Sequence, residues 1–480
     1  MTFVLPFANS SRKIAVLGGG IAGLSAAFRL ARMGHSVRLF EQSNRLGGAI
    51  RTEAEDGWLI EAGPNSMQES SPLIPVVIKG LGLTRERLDA APTARRRYLV
   101  RRNRLVAMPS SPSALLLSGL FSPLGKLGLL RDLTRRPRPE SADRSIAQLV
   151  REHCGREASD YVAQSMAAGI YAGDAEKLSA RYAFPRIWDM DASHGSFLRA
   201  QQAHARACER RYENVVPTTF SFRRGLQTLV HGYVLQLPAD VLTLNARVEA
   251  LIPGPKWHVV WRDLRGQPAD RDWARGDDTG RQVEGFDAVV CALPAAALAG
   301  LEFGQRELRP LAALGDIEHA PVSSLFLGYR REQIGHPLDG FGFLAPKRER
   351  RKLLGVAFSS SIFPGRAPEG HVALTVLVGG ADQAELAARP AAELAEAVKP
   401  ELEALLQVRG EPVFLRHTYW PRAIPQYNLG YQRFLEAMAS CEKGHAGLFL
   451  GGHVRDGVSV SNCILSGERL AERVHAHCAG

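Results

Sequence analysis

The stretch from residue 14 to residue 48 constrains the fold more than any other part of the chain. It opens on Ile14-Ala-Val-Leu17, a continuous apolar run of the kind a parallel strand buried on both faces requires. Gly18, Gly20 and Gly23 come next, in the spacing G-x-G-x-x-G. Glycine permits a tight turn at the first position, close approach of a pyrophosphate to the backbone at the second, and close helix–strand packing at the third. The apolar pattern then predicts a helix over 22–33, its unpaired N–H groups facing an anion. A second strand is predicted over 37–40, and Glu41 comes eighteen residues after Gly23. A carboxylate at that point accepts ribose hydroxyls and repels a 2′-phosphate, which disfavours NADP. Strand, turn, helix, strand and acid in this order predict a dinucleotide site and redox chemistry; a glycine-rich turn without a ligand explains only the glycines.

After Glu41 the chain continues through Gln42 to Arg45, Gly47 and Gly48. This continuation resembles the FAD-binding segment of the flavin amine oxidase superfamily. The resemblance implies FAD as cofactor, with Gln42 among its contacts, Arg45 beside the pyrophosphate, and Gly47 and Gly48 letting the chain pass close to the flavin. A matching segment lies near the other end: an apolar strand over 448–450, Gly451-Gly452, then Val458-Ser459-Val460 opening an amphipathic helix predicted over 461–474. Such a helix N-terminus, placed at the flavin N1 and O2, stabilises the anionic reduced ring. Strands are predicted over 241–251 and 257–261, a charged loop over 262–281, and a strand over 286–293 that returns to the nucleotide sheet and is stopped by Pro294. Val248 stands where the superfamily contacts adenine through its backbone.

Between the two FAD segments run Gly169-Ile-Tyr-Ala-Gly173, Gly340-Phe-Gly-Phe-Leu-Ala-Pro346, Gly355-Val-Ala-Phe-Ser, Val378-Gly-Gly380, Ala423-Ile-Pro-Gln-Tyr427 and Cys463-Ile-Leu-Ser-Gly467. In this order they resemble the protoporphyrinogen oxidase family over nearly the whole chain. The family implies oxidation of protoporphyrinogen IX to protoporphyrin IX in haem biosynthesis, six electrons passing through one FAD, with oxygen or a quinone as acceptor and hydrogen peroxide formed when oxygen is used. It also implies a substrate site containing Gly169 and Gly173, a propionate arginine at Arg97 and a wall leucine at Leu344. Ala357 and Leu377 stand where a leucine and a phenylalanine can occur, which implies a roomier pocket. No nucleophile–base pair or carboxylate pair is evident, and none is needed, because hydride transfer to a flavin requires positioning more than a strong protein base.

Arg97 belongs to a run with Arg95, Arg96, Arg101, Arg102 and Arg104, which reads mainly as a solvated face. A run this basic also suits four propionates, and coproporphyrinogen III is therefore an alternative substrate. Another flavin oxidase or desaturase of the superfamily, and a non-catalytic binding protein on the same scaffold, are further alternatives; the intact phosphate glycines oppose the last.

The chain of 480 residues is too long for one core and carries a net charge of +11. That excess calls for an acidic partner, here a carboxylate-bearing substrate or anionic lipid, with nucleic acid not expected. The six cysteines are scattered without metal-ligand or C-x-x-C spacing, as in a reducing compartment. Residues 1–8 are apolar but too short for a signal peptide. Residues 114–130 form an apolar stretch interrupted by Pro123 and Lys126 and followed by Arg131, Arg135, Arg136 and Arg138, which suits peripheral contact with a membrane surface and not a span. The expected location is therefore the cytoplasm, on the inner face of its membrane, with monomer and homodimer both open. The fold class expected is α/β: a Rossmann-like FAD-binding domain (1–75, 216–300 and 441–480), a mixed α+β substrate domain (76–105 and 301–440), and a helical, membrane-facing insertion (106–215). Residues 381–406, rich in Ala, Glu and Leu, are predicted as one packing helix.

Overall fold

Ile14 and Val16 pack into one apolar cluster while Ala15 and Leu17 pack into another, so successive residues of the first strand face opposite sides of a sheet covered on both faces. The computed structural model describes residues 11–109, 118–138, 142–203, 218–265, 280–304 and 309–479. Its nucleotide sheet has five strands, all parallel, in the order Leu242–Thr243, Ser36–Phe40, Lys13–Leu17, Ala288–Cys291, Leu448–Leu450. The helix Ile21–Arg32 covers one face and packs against the C-terminal helix Val460–Ala479, where the Ser25 hydroxyl donates to the Ile464 carbonyl at 3.0 Å. The fold is α/β.

Three sequence-based boundaries shift. The strand expected over 241–251 divides at Asn245, which adopts φ +55°. Leu242–Thr243 stays in the nucleotide sheet, whereas Ala246–Ile252 enters a separate four-stranded sheet with Trp257–Asp263, Arg281–Phe286 and Glu302–Phe303. The strand expected over 286–293 is likewise two: Phe286 ends an antiparallel strand, and only Ala288–Cys291 pairs with Lys13–Leu17. The helix expected over 381–406 is broken into Ala384–Ala387 and Ala391–Leu406 by Pro390, which has no N–H to continue the first piece. Residues 1–8, 114–117, most of the 262–281 loop and Cys208 lie outside the described residues.

A seven-stranded sheet runs Phe414–Pro425, His319–Arg330, His371–Gly379, Leu353–Ala357, Gly342–Leu344, Tyr98–Arg101, Arg104–Ala107. Over one end lies a group of helices, among them Pro123–Leu130, Ile146–Cys154, Gln164–Tyr171 and Pro185–His194. These helices are tied by a buried clip in which His153 Nδ1 meets Asp132 at 2.6 Å and Nε2 meets Asp191 at 2.9 Å. Arg144 pairs with Asp191 as well. Desolvation opposes the charge on His153, but the two carboxylates outweigh it and hold its pKa above the ordinary value. Among the described residues no helix is long and apolar enough to cross a membrane.

Candidate active site

In an open parallel sheet, ligands bind beyond the carboxyl ends of the strands where the strand order reverses. Here that point lies between Lys13–Leu17 and Ala288–Cys291, and it opens into a cavity of about 2490 Å³. Single small-molecule sites occupy about 300–1,000 Å³. The space therefore accepts a dinucleotide and a second large guest.

Gly18 turns the chain at φ +101°, in the left-handed region that favours glycine. A Cβ on Gly20 would meet no atom within 4 Å, because the position faces the cavity. On Gly23 it would overlap the Gly18 carbonyl oxygen, so this glycine serves helix–turn packing. Glu41 accepts the Gly19 N–H at 2.8 Å on one oxygen, and the Ser43 N–H and hydroxyl at 2.9 and 2.8 Å on the other. Its carboxylate thus braces the turn, and its remaining lone pairs front the cavity it lines. The Gly47 N–H donates to the Gly19 carbonyl at 2.8 Å, joining the two glycine turns.

Gln42, Gly47, Gly48, Val248, Gly452, Val458, Ser459 and Val460 also line this cavity, as do Arg97, Gly169, Leu344, Ala357 and Leu377. Four predicted positions stand behind the wall or apart from it, Gly23 being one. The Arg45 guanidinium donates to the carbonyls of Gly48 at 2.6 Å and Ile50 at 3.1 Å, bracing the turn from outside. Gly451 packs under Leu470 and Ser466 of the C-terminal helix, and Gly173 against Gln426 and Leu178.

Away from the nucleotide turns the cavity floor is one face of the seven-stranded sheet. Period-two alternation brings Leu344, Gly355, Ala357, Thr375, Leu377, Val322 and Ser324 to that face. The roof is helical, with Val162, Met166, Ile170, Ile187 and Met190. Gly169 has no room for a side chain there, since a Cβ would lie 2.9 Å from a Leu344 methyl.

A family model described as flavin containing amine oxidoreductase matches residues 21–475. The chain belongs to that family. It is 31% identical over 97% of its length, and 95% of the relative's, to the mitochondrial protoporphyrinogen oxidase of Nicotiana tabacum. It is 25% identical to the coproporphyrinogen III oxidase of Bacillus subtilis (strain 168), over 96% of this chain and 97% of that one. A crystal structure of a protein from Exiguobacterium sp. 255-15 matches its fold with a TM-score of 0.79 at 19% identity, covering 98% of this chain and 100% of that one.

The cofactor of this flavin-dependent oxidoreductase is FAD, and the wall fits it: an open cradle at Gly20, an acid at Glu41, and two helix N-termini, Ile21 and Val460, turned to one space. The Ala423-Ile-Pro-Gln-Tyr427 motif holds the second flavin segment in place. The Tyr427 hydroxyl donates to the His453 carbonyl at 2.6 Å and accepts the Gly457 N–H at 3.1 Å. The Tyr431 hydroxyl donates to the Val454 carbonyl at 2.6 Å, and its ring stacks on that of Tyr427 at 4.2 Å.

Several cavity-lining residues carry no spacing signal and escape sequence reading: His319, Trp420, Arg422, His453 and Arg186. Burial favours the neutral form of both histidines. Burial pushes His453 down to about 4, and burial also lowers His319. His319 Nδ1 lies 2.8 Å from the Ile317 carbonyl, which only accepts, so the proton sits on Nδ1 and Nε2 is an acceptor. Strand pairing between distant segments brings His319, Trp420 and Arg422 there, and Arg186 and His453 arrive on a helix and a turn; nothing local reveals them.

Arg97 is solvent-exposed and lines the concave site. Desolvation lowers its pKa, and its guanidinium lies 5.0 Å from the Phe341 ring centre. The surrounding run is sorted by partner: Arg96 pairs with Asp339 and Arg101 with Glu157, but among the described residues no carboxylate pairs with Arg97.

Proposed function

We propose that the protein oxidises protoporphyrinogen IX to protoporphyrin IX, removing six electrons as three hydride-plus-proton steps, with oxygen as acceptor and hydrogen peroxide as its product. The observation that carries this reading is the shape and chemistry of the second half of the cavity. A smooth sheet floor with Leu344, Gly355, Ala357 and Leu377 faces an aliphatic roof, and an arginine with no carboxylate partner among the described residues stands at the rim. That combination suits an apolar disc with carboxylates on one edge. The flavin, when bound, supplies the hydride acceptor. The chain's own residues hold the disc flat, exclude water and grip its propionate edge.

Anaerobically prepared protoporphyrinogen IX and coproporphyrinogen III, offered separately while porphyrin fluorescence is followed, test the reading. Rapid rise with the first supports it, and no rise with either overturns it. A second reading, preference for coproporphyrinogen III, is favoured by Arg422. This residue sits on a bulge of Phe414–Pro425 and lines the same cavity on the far side of the floor from Arg97. Faster turnover of the tetracarboxylate supports that reading instead. Replacing Arg97 by Ala is expected to raise KM about 10- to 100-fold, the loss of a charge-assisted hydrogen bond of about 1.5–3 kcal/mol, with a smaller change in kcat. Unchanged kinetics would take Arg97 out of the site.

The enzyme is further proposed to work at a membrane surface. Leu124, Leu127, Leu130 and Leu133, spaced by three along Pro123–Leu130 and the turn after it, are 79%, 63%, 51% and 43% exposed, and Lys126, Arg131 and Arg135 lie among them. An apolar row with basic neighbours suits peripheral contact with anionic lipid. Leu127→Glu is expected to cut sedimentation with anionic phospholipid vesicles severalfold, from lost apolar burial of about 1–3 kcal/mol. Equal sedimentation of variant and wild type removes the contact.

A further inference from the structure

We propose that Arg186 is a second carboxylate anchor, gripping the propionate next to the one held by Arg97 and so fixing which edge of the macrocycle enters the site first. This assignment rests on the porphyrinogen oxidase function and names the part of the substrate that the helical roof recognises.

The fold places Arg186 on that roof. Helix Gln164–Tyr171 lies directly on strand Gly342–Leu344, because Gly169 leaves no gap above Leu344, and that strand pairs with Tyr98–Arg101, which Arg97 precedes. The Tyr171 hydroxyl donates to the Ala183 carbonyl at 3.1 Å, and its ring contacts Phe184 with centres 5.7 Å apart. Those contacts fix the start of helix Pro185–His194, whose second residue is Arg186. Arg186, Ile187 and Met190 all line the cavity, Met190 standing four positions from Arg186 and three from Ile187 and so neighbouring both on the helix surface. The face turned to the substrate space is therefore apolar with a cation at its leading edge.

Several arginines of this region have acidic partners, Arg144 with Glu152 and Asp191, Arg151 with Glu176 and Arg348 with Asp160, while Arg131, Arg136, Arg181 and Arg199, which have none among the described residues, do not line the cavity. Among the described residues no carboxylate pairs with Arg186, although Asp189 is three positions along the same helix. Arg97 beside the floor and Arg186 on the roof thus line one cavity, each with a guanidinium fork available to a carboxylate. Two propionates on neighbouring pyrroles of one disc edge present two such carboxylates together. The opposite edge, bearing methyl and vinyl groups, then meets Leu377 and the aliphatic roof.

The test compares binding of protoporphyrin IX and of its dimethyl ester to flavin-loaded wild type, Arg186→Ala, Arg186→Lys and Arg97→Ala/Arg186→Ala, each checked for an intact flavin spectrum. Arg186→Ala is expected to weaken the diacid about 10- to 100-fold while leaving the ester's affinity nearly unchanged. Arg186→Lys recovers part of the loss, and the double variant binds diacid and ester alike. Equal effects of Arg186→Ala on diacid and ester, or no effect on either, overturn the assignment. A wild type that oxidises no porphyrinogen sinks the functional reading itself, and this inference with it.

Discussion

Gly20→Val is expected to purify as a folded protein without flavin. The cause is steric and local. A Cβ at this position meets no protein atom within 4 Å, and the backbone is an ordinary N-cap at φ −70° and ψ 175°, so the polypeptide accepts a β-branched side chain. Those branches occupy the space that a pyrophosphate needs against the turn and cover the N–H groups of Ile21–Arg32. Gly23→Val makes the contrast. Its Cβ would overlap the Gly18 carbonyl oxygen, so the helix has to move off the strand and the variant is expected to be insoluble. Absorbance in the flavin bands and far-ultraviolet circular dichroism separate the two outcomes. A yellow Gly20→Val protein with full flavin content would show that the turn does not cradle the pyrophosphate.

That pair of glycines also shows what is legible in the sequence alone. From Ile14 to Glu41 every feature is local: an apolar run, a glycine spacing, a helical period and an acid at a fixed distance. Such signals are written in the order in which the chain uses them. The breaks at Asn245 and Pro390 are local too, but their cost decides only where an element stops, and the apolar pattern on either side masks it. The cavity floor is less legible. Family resemblance alone points to Leu344, Ala357 and Leu377, while Val322, Ser324 and Trp420 join the same cavity only through strand pairing between distant segments. Arg45 illustrates the converse. The resemblance places it beside the pyrophosphate, and the structure shows its guanidinium donating to the carbonyls of its own turn, a role that no motif announces. Arg186 has no sequence signal at all, since one arginine in the first turn of a helix is common and the cavity that makes it significant is completed by segments distant in the chain.

Stability is expected to fall between about pH 4.5 and pH 7 through Glu61, a residue with no motif to announce it, and Glu61→Gln should remove that part of the fall. Glu61 ends strand Trp58–Glu61 and is 5% exposed. It accepts the Leu226 N–H at 2.8 Å and shares a 2.7 Å hydrogen bond with the Thr52 hydroxyl. Burial raises its pKa from 4.5 to about 7, against the opposing pull of those hydrogen bonds and of Arg366 at 3.9 Å. A carboxyl whose folded pKa is raised binds more protons folded than unfolded between the two values, so its contribution is fully present below about pH 4.5, declines as pH rises, and is gone above about pH 7. The span corresponds to about 3 kcal/mol. Glutamine keeps the acceptor for Leu226 and supplies an N–H to Thr52, while Arg366 retains Ser221 and the Phe222 carbonyl at 3.0 and 3.1 Å. The unfolding midpoints of wild type and Glu61→Gln, both flavin-loaded, should therefore separate progressively from about pH 4.5 to about pH 7, with the variant the more stable at the alkaline end. Glu61 leads directly into Ala62–Gln68, which lines the cavity, so the same titration loosens one wall of the cofactor site and flavin release should quicken over the same interval in wild type alone. Midpoints that run parallel across this range would mean that Glu61 keeps its ordinary acidity in the folded protein.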